Sequence, residues 1–405
     1  MNPIEARLFQ LLRPNAAWLS LVAAIALTVI GVLAIDTNHE AYASKQLQWL
    51  FIAVAFALVC VIPHSRLIGV CSYALMVLTL LMLIFVIFPG VPRSIVPVRN
   101  GTTAWINLHF MMFQPAEVAK IGFVLALAWY LRHRDNFRSL RGLLIPFVIM
   151  IVPVMLILKQ PDLGTAMLFG PALFAMLIAA GARLSHMSAI VGLGLAAIVI
   201  NLAIVFYLPD SMQVLRPHQR QRIISMVSQV KGDTRYIKDI GYQQHKAVTL
   251  AGSGGAWGHG EARSSTIMKF NTLPEDHNDM IFAVIVNRWG LAGGITTLVL
   301  YLLMFGSFLI AAGRSRDPFA RLVIVGFTAI LFSQMLVNVG MSIGMLPIVG
   351  ITLPFVSYGG SSLLATFAMI GLVLNFASRG APIINRPAFE FDSPEHIAPR
   401  PGPLM

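Results

Sequence analysis

The sequence predicts an all-α polytopic membrane protein of about ten transmembrane helices, with a large extracytoplasmic loop between helices 7 and 8. Three observations carry that fold class. Apolar residues make up 57% of the 405 residues and charged residues only 11%, where a soluble domain carries about a quarter; the mean hydropathy is +0.77. The apolar residues fall in runs close to the roughly 20 needed to cross a bilayer. The basic residues gather in short clusters between those runs, on alternate sides.

Taken in order, the expected spans are 18–35, 47–63, 67–88, 116–131, 142–158, 165–182, 187–208, 280–312, 321–345 and 361–378. The first is long enough to span and no small-residue cleavage site follows it, so it reads as a helix and not as a removed signal. The run at 280–312 is too long for one straight crossing, and Gly290, Gly293 and Gly294 mark where it would bend. Arg7, Arg13, Arg66, Arg132, Arg134, Arg138, Arg141, Arg183, Arg314, Arg316, Arg379 and Arg386 fall on one side if the N-terminus is inside. Both termini are therefore expected in the cytoplasm, although Arg93 and Arg99 are exceptions in the opposite loops. Segment 209–279 then lies outside; its basic residues do not break the rule, which weakens for loops beyond about 60 residues. The proline-rich stretch 381–405 reads as a disordered cytoplasmic tail, leaving 1–380 as the membrane domain.

The net charge of +12 does not indicate nucleic acid, because the cations follow the loop pattern and form no basic stripe with interleaved aromatics. Cys60 and Cys71 sit in apolar runs and support neither a disulfide nor a metal site. His218, His245, His259 and His277 are too dispersed along the chain for a metal assignment.

The polar residues at membrane edges are the candidates for chemistry. "LPEDHNDMIFAVIVNRWG" (273–290) crowds Glu275, Asp276, His277 and Asp279 at the start of a membrane-length helix. Asp279 suits a helix cap, or a general base whose pKa neighbouring carboxylates and burial raise. In "QPAEVAK" (114–120), Glu117 and Lys120 share a helix face and read as a buried ion pair, or as a polar cavity in which Lys120 meets an anion. Asp162 in "KQPDLGTA" (159–166) reads as an N-cap, with a weaker second reading as a group that orients polar substrate. "AGSGGAWGHG" (251–260) has no strand–turn–helix setting and reads as a flexible loop whose N–H groups could face phosphate. Arg220 and Arg222 in "HQRQRI" offer either headgroup contacts or forks for a diphosphate. "GMLPIVGITLPFVSYGGSSLL" (344–364), containing Ser357 and Ser361, breaks the apolar pattern and reads as a re-entrant loop lining a pocket; Ser361 and Ser362 equally suit caps. Asn338 is a polar group inside a greasy helix.

"FQPAEVAK", "KQPDLGTA", "RQRI", "GYQ" with "GSGGAWGHG", "LPEDHNDMIFAVI" and "LPFVSYGGSS" stand in the order seen in the SEDS family of peptidoglycan polymerases. The chain resembles that family over about residues 15–380, and "GMLPIVGITLPFVSYGGSS" is more similar to its RodA (elongation) branch than to FtsW (division). The resemblance implies a ten-helix enzyme of the bacterial inner membrane that joins lipid II units into glycan strands on the extracytoplasmic face. It also implies a class B penicillin-binding protein (transpeptidase) as partner. The family's catalytic aspartate, in a motif PE-x-H-T-D-F, falls on Asp279, with Pro274, Glu275 and His277 matching. Arg220, Arg222 and Lys120 are then expected to stabilise charge on the departing diphosphate, with Mg²⁺ or Mn²⁺ as a candidate cofactor. Asn278 and Met280 replace the usual Thr and Phe, and Asn287, Arg288, Trp289 and Gly290 stand where a Glu-Glu-x-Gly stretch is usual. Two rivals remain in view: a lipid II flippase, for which no inverted repeat is evident, and a non-catalytic scaffold for the penicillin-binding protein.

Overall fold

The computed structural model describes residues 15–98, 102–207, 220, 224, 242–271 and 273–379. They form α1 (Trp18–Asp36), α2 (Glu40–Val61), α3 (Ser65–Val70), α4 (Ser72–Ile87), α5 (Pro115–Arg132), α6 (Leu144–Lys159), α7 (Leu163–Met167), α8 (Phe169–Ala180) and α9 (Leu184–Tyr207). There follow α10 (Tyr242–Ser253), α11 (Gly260–Phe270), α12 (Ile281–Arg314), α13 (Pro318–Ser342) and α14 (Gly360–Ser378). Arg7, Arg13, Arg99, His218, Arg222, Arg386 and the tail 381–405 lie outside the described residues.

Helix covers each expected apolar run, and eight helices among the described residues are long and apolar enough to cross a membrane. These are α1, α2, α6 with the turn before it, α7 joined to α8, α9, α12, α13 and α14. The run at 67–88 breaks at Cys71 into α3 and α4. Helix α5 keeps its length but carries Glu117, Lys120 and Arg132. Local chemistry sets several boundaries. Pro115 and Pro318 open α5 and α13, where a missing N–H is harmless. Asp317 caps α13 by accepting from Phe319 N–H at 3.1 Å. Gly181, at φ 93°, ends α8 in the left-handed conformation.

Small residues draw the helices together, as membrane packing requires. Helix α14 lies along α2 so closely that a Cβ on Gly371 would stand 2.2 Å from the Ala57 carbonyl oxygen. Helix α12 lies along α1, and α13 fills the space between α5, α8 and α12. Helix α9 is different: only Met187 and Val205 are buried, which leaves an apolar surface that lipid or another apolar partner must cover.

The long segment before α12 is not uniformly irregular. Helices α10 and α11 pack on α12, and their contact explains the bend at Gly290, whose φ of 68° and ψ of −167° interrupt α12. The stretch 251–260, expected as a flexible loop for phosphate, is instead the clasp of that bend. Leu291 N–H donates to Gly255 O at 2.9 Å, Ala292 N–H to Ala256 O at 3.1 Å, and His259 N–H to Asn287 O at 3.0 Å. The backbone groups released by the kink are thus repaired from the clasp. Glycine is needed because a Cβ on Gly258 would meet the Arg288 carbonyl oxygen at 2.3 Å.

The departures at 287–288 serve the same corner. Asn287 is fully buried; its Oδ1 accepts from Ser264 Oγ at 2.6 Å, and its Nδ2 donates to Ser253 Oγ at 2.9 Å. Arg288 donates to Thr37 Oγ1 at 2.8 Å and pairs with Glu261 at 2.6 Å, tying α1 and α11 to the bend.

Candidate functional site

Two irregular segments meet at the end of the bundle where α1, α12 and α14 have their C-terminus, N-terminus and N-terminus respectively. One is the turn 273–280 leading into α12; the other is the loop 343–359 between α13 and α14. Ser357 Oγ donates to Asn278 O at 2.6 Å, and Tyr358 N–H donates to His277 O at 2.9 Å. Asn338 Nδ2, from within α13, bridges them by donating to Asp279 O at 2.8 Å and Ile351 O at 2.6 Å. Each segment also holds a non-glycine residue in the left-handed region, Glu275 at φ 54° and Phe355 at φ 67°. Such strain persists where surrounding structure over-determines it, and it clusters at functional sites.

Asp279 sits half-buried at this seam. The capping position of α12 is Met280, not Asp279. Gly350, at φ 74°, faces the carboxylate: a Cβ there would stand 3.6 Å from Asp279 Oδ2. A carboxylate on a backbone-fixed turn, beside a residue without a side chain, can accept a proton or bind a cation from an approaching ligand.

The remaining predicted residues buttress the loop from behind. Asp162 caps α7, its Oδ1 accepting from Thr165 N–H at 2.9 Å and its Oδ2 from Gln114 Nε2 at 3.1 Å. Burial pushes the Asp162 carboxyl above the ordinary carboxylate range, against the bonds from Thr165. Gln114 N–H donates to Ser361 Oγ at 3.0 Å. Glu117 and Lys120 form the expected ion pair at 2.9 Å, and Lys120 also donates to Gln334 Oε1 at 3.1 Å. Gln334 Nε2 in turn donates to Thr352 O at 3.0 Å. Lys120 is fully buried, so an anion would reach it only by displacing these partners. Ser357, with its hydroxyl also accepting from Leu353 N–H at 2.7 Å, staples backbone to backbone.

Glu275 accepts from Asn278 Nδ2 at 2.6 Å, and His277 Nδ1 lies 3.0 Å from Asp276 Oδ1. Burial raises the Asp276 carboxyl, but bonds from His277 and Asn38 and the charge of His39 outweigh it and leave it below the ordinary value. His39, Asp276 and His277 are the one group of potential metal ligands among the described residues. Arg220 is helical and half-buried, and Arg222 lies outside the described residues.

The residues missed in the sequence are the amides that pin the loop, Gln46, Gln114 and Gln334, together with Asn38 and His39. Gln46 donates to Ser357 O at 3.0 Å and accepts from Gly359 N–H at 3.2 Å. Amides inside apolar helices were the available signal: Gln46 stands with Gln48 near the start of α2, and Gln334 one turn before Asn338 in α13. A hollow of about 360 Å³ lies at the other end of the bundle, lined by Asn15, Arg314, Arg316 and Arg379, far from Asp279.

Fold and site together define an integral membrane protein with a carboxylate-centred seam at one end of its helices. The chain belongs to the FtsW/RodA/SpoVE family, whose model, described as cell cycle protein, matches residues 7–380; this is the SEDS family of the motif resemblance. It is 32% identical over 374 residues to the probable peptidoglycan glycosyltransferase FtsW of Mycobacterium tuberculosis (strain ATCC 25618 / H37Rv), covering 91% of this chain and 67% of that one. It is 32% identical over 278 residues to the peptidoglycan glycosyltransferase MrdB of Escherichia coli (strain K12), covering 69% and 71%. A chain from a peptidoglycan synthase complex that coordinates polymerization and crosslinking matches with a TM-score of 0.74 and 27% identity, over 90% of this chain and 98% of that one. Relatives named FtsW and MrdB stand at the same identity, so kinship identifies the family and not the branch.

Proposed function

We propose that this chain is a peptidoglycan glycosyltransferase that polymerises lipid II during cell-wall elongation, with Asp279 as general base. The observation that carries the reading is the Asp279 carboxylate, half-buried at the seam and fixed through its own carbonyl by Asn338. In this reading Asp279 takes the proton of the acceptor GlcNAc 4-hydroxyl. The oxygen attacks the anomeric carbon of the lipid-linked donor, and the bond to undecaprenyl diphosphate breaks with its electron pair leaving on the phosphate oxygen. Attack and departure on opposite faces invert the linkage. A positioned base contributes about 10²–10⁴-fold.

Arg220 and Arg222 are assigned to the diphosphate because their planar forks match phosphate oxygens. Glu275 and His277 flank the acceptor. Asp162, Glu117, Lys120, Ser357 and Ser361 act through the loop they hold. Carboxylate and phosphate oxygens are the donor set that Mg²⁺ or Mn²⁺ prefers, and Asp279 fits such a set; the ion would neutralise charge on the diphosphate. The chain crosses the inner membrane ten times, with both termini cytoplasmic and the Asp279 seam extracytoplasmic. A class B penicillin-binding protein crosslinks the product.

The test uses purified protein, alone and with its cognate penicillin-binding protein, given labelled lipid II with and without a divalent cation. A glycan ladder from wild type that is absent with Asp279→Asn is expected. No ladder from wild type with its partner, where a control polymerase makes one, would overturn the enzyme reading; headgroup translocation without polymer would indicate a flippase. Depletion in cells separates the branches: rounding supports elongation, filamentation supports division.

A further inference from the structure

His39 and Asp276 are 237 residues apart in sequence, yet they close a compact group with His277. His39 Nε2 lies 2.9 Å and His277 Nδ1 3.0 Å from the same oxygen, Asp276 Oδ1. All three donor atoms fall within 4.8 Å of one another. His39 occupies the N-cap position of α2, but its ring makes no capping bond and turns to Asp276 instead. Asn38 Nδ2 donates to the other carboxylate oxygen at 2.8 Å, which fixes the plane of the Asp276 side chain. Tyr42 packs on both imidazoles, with ring centroids 5.4 Å and 4.9 Å away, and stacks on Tyr358 at 4.7 Å.

Two imidazoles converging on one carboxylate oxygen form either a plain hydrogen-bonded triad or a metal site. In a tetrahedral zinc site, bonds of about 2.0–2.2 Å hold donor atoms roughly 3.4 Å apart. The two observed nitrogen–oxygen separations are about half an ångström shorter, and the two nitrogens lie no more than 4.8 Å apart, so a modest shift of the rings seats an ion in place of the hydrogens that face the carboxylate oxygen. Oxygen-seeking ions such as Mg²⁺ or Ca²⁺ are poorly matched to two nitrogen donors. The carboxylate is already braced by Asn38, as outer-shell partners brace ligands in metal sites. The His39 side chain is 33% exposed, giving an entry path and water for a fourth position.

We propose that His39 Nε2, Asp276 Oδ1 and His277 Nδ1 form a binding site for a zinc-class transition-metal dication. The bound ion staples the turn between α1 and α2 to the turn that carries Asp279. Loading through Nδ1 leaves the His277 proton on Nε2, 3.3 Å from Asn278 Nδ2, so Asn278 must swing its amide aside; loading is felt along the turn. The ion is distinct from one on the substrate diphosphate, and its binding stands whether or not the polymerase reading does.

The experiment titrates full-length, tag-free protein in detergent, stripped with chelator, with Zn²⁺, Co²⁺ and Mg²⁺. Calorimetry, the visible absorption of Co²⁺ and the thermal midpoint are read. Wild type should bind one Zn²⁺ tightly, show Co²⁺ bands that Zn²⁺ displaces, rise in thermal midpoint with Zn²⁺, and ignore Mg²⁺ at the same concentration. His39→Gln and Asp276→Asn should each weaken Zn²⁺ binding by at least the roughly 10–100-fold seen on losing even an outer-shell partner, whereas His245→Gln and His259→Gln should not. The site is refuted if folded wild type shows no stoichiometric Zn²⁺, or if His39→Gln binds it as tightly. Should a variant fail to fold, the wild-type stoichiometry and Co²⁺ spectrum still decide.

Discussion

The side-chain amide of Asn338 holds the backbone carbonyl of Asp279 at 2.8 Å and, with the same nitrogen, that of Ile351 at 2.6 Å. One buried side chain on α13 therefore fixes both the turn that presents Asp279 and the loop that faces it. Neither segment has regular structure of its own to hold it in place. Exchange of this amide for an apolar group strands the buried Ile351 carbonyl and the half-buried Asp279 carbonyl, and frees the carboxylate to drift.

Asn338→Leu is accordingly expected to lower glycan polymerisation by about 100-fold, the usual scale for misplacing a reacting group by an ångström. The loss should lie in turnover at saturating lipid II. Asp279 itself is intact in that variant, so an activity equal to wild type, in protein with a normal thermal midpoint, would show that the bridge does not position the proposed base.

Asp276 gives a pH dependence whose sign is fixed. Its folded carboxyl lies below the ordinary 3.8, so the stability it contributes is full above that value and is lost as pH falls through the lowered one. Acid unfolding followed by tryptophan fluorescence, with chelator present, should show this limb in wild type. Asp276→Asn should flatten it. An unchanged limb in Asp276→Asn would mean that the bonds from Asn38 and the histidines do not favour the charged form.

Asp162 should behave in the opposite sense. Burial raises its carboxyl, so the charge costs stability as pH rises from the ordinary 3.8 through the raised value. Asp162→Asn keeps an oxygen to cap Thr165 and removes that charge, so it should match or exceed wild-type stability at neutral pH. Asp162→Ala loses the cap and should cost about 0.5–2 kcal/mol. Thermal midpoints of the two variants decide; a destabilised Asn variant would mean that the charge itself is needed.

How far these features could be read in the sequence depended on whether the physics was local. Apolar length located the membrane-length helices, because lipid imposes it residue by residue, but it gave no sign of the polar helices α10 and α11. Gly290 was legible only as one of three glycines in a run too long for one straight crossing; Gly293 and Gly294 stay helical. What the bend rests on was not legible: Gly255 and Ala256 receive N–H groups from Leu291 and Ala292, a pairing no periodicity announces. The clasp was therefore mistaken for a flexible loop. Likewise Glu275, Asp276, His277 and Asp279 advertised themselves as a polar cluster, but His39 and Gln46 join it only through the fold. The ion pair of Glu117 and Lys120 was legible because both partners share one helix face.

That ion pair yields the last prediction. Both residues are buried, Lys120 completely, and the ammonium continues through Gln334 to Thr352 in the loop facing Asp279. Lys120→Met leaves the Glu117 charge buried and unpaired, and Glu117→Gln does the same to Lys120; each should cost about 3–5 kcal/mol. Glu117→Gln with Lys120→Met removes both charges, so its loss should be well below the sum of the singles. Unfolding of all four proteins in detergent measures the coupling, and additive losses would mean that the two charges do not stabilise one another. Activity separates structure from function: the double variant should regain stability but still polymerise poorly, because the link from Lys120 through Gln334 to the loop is gone.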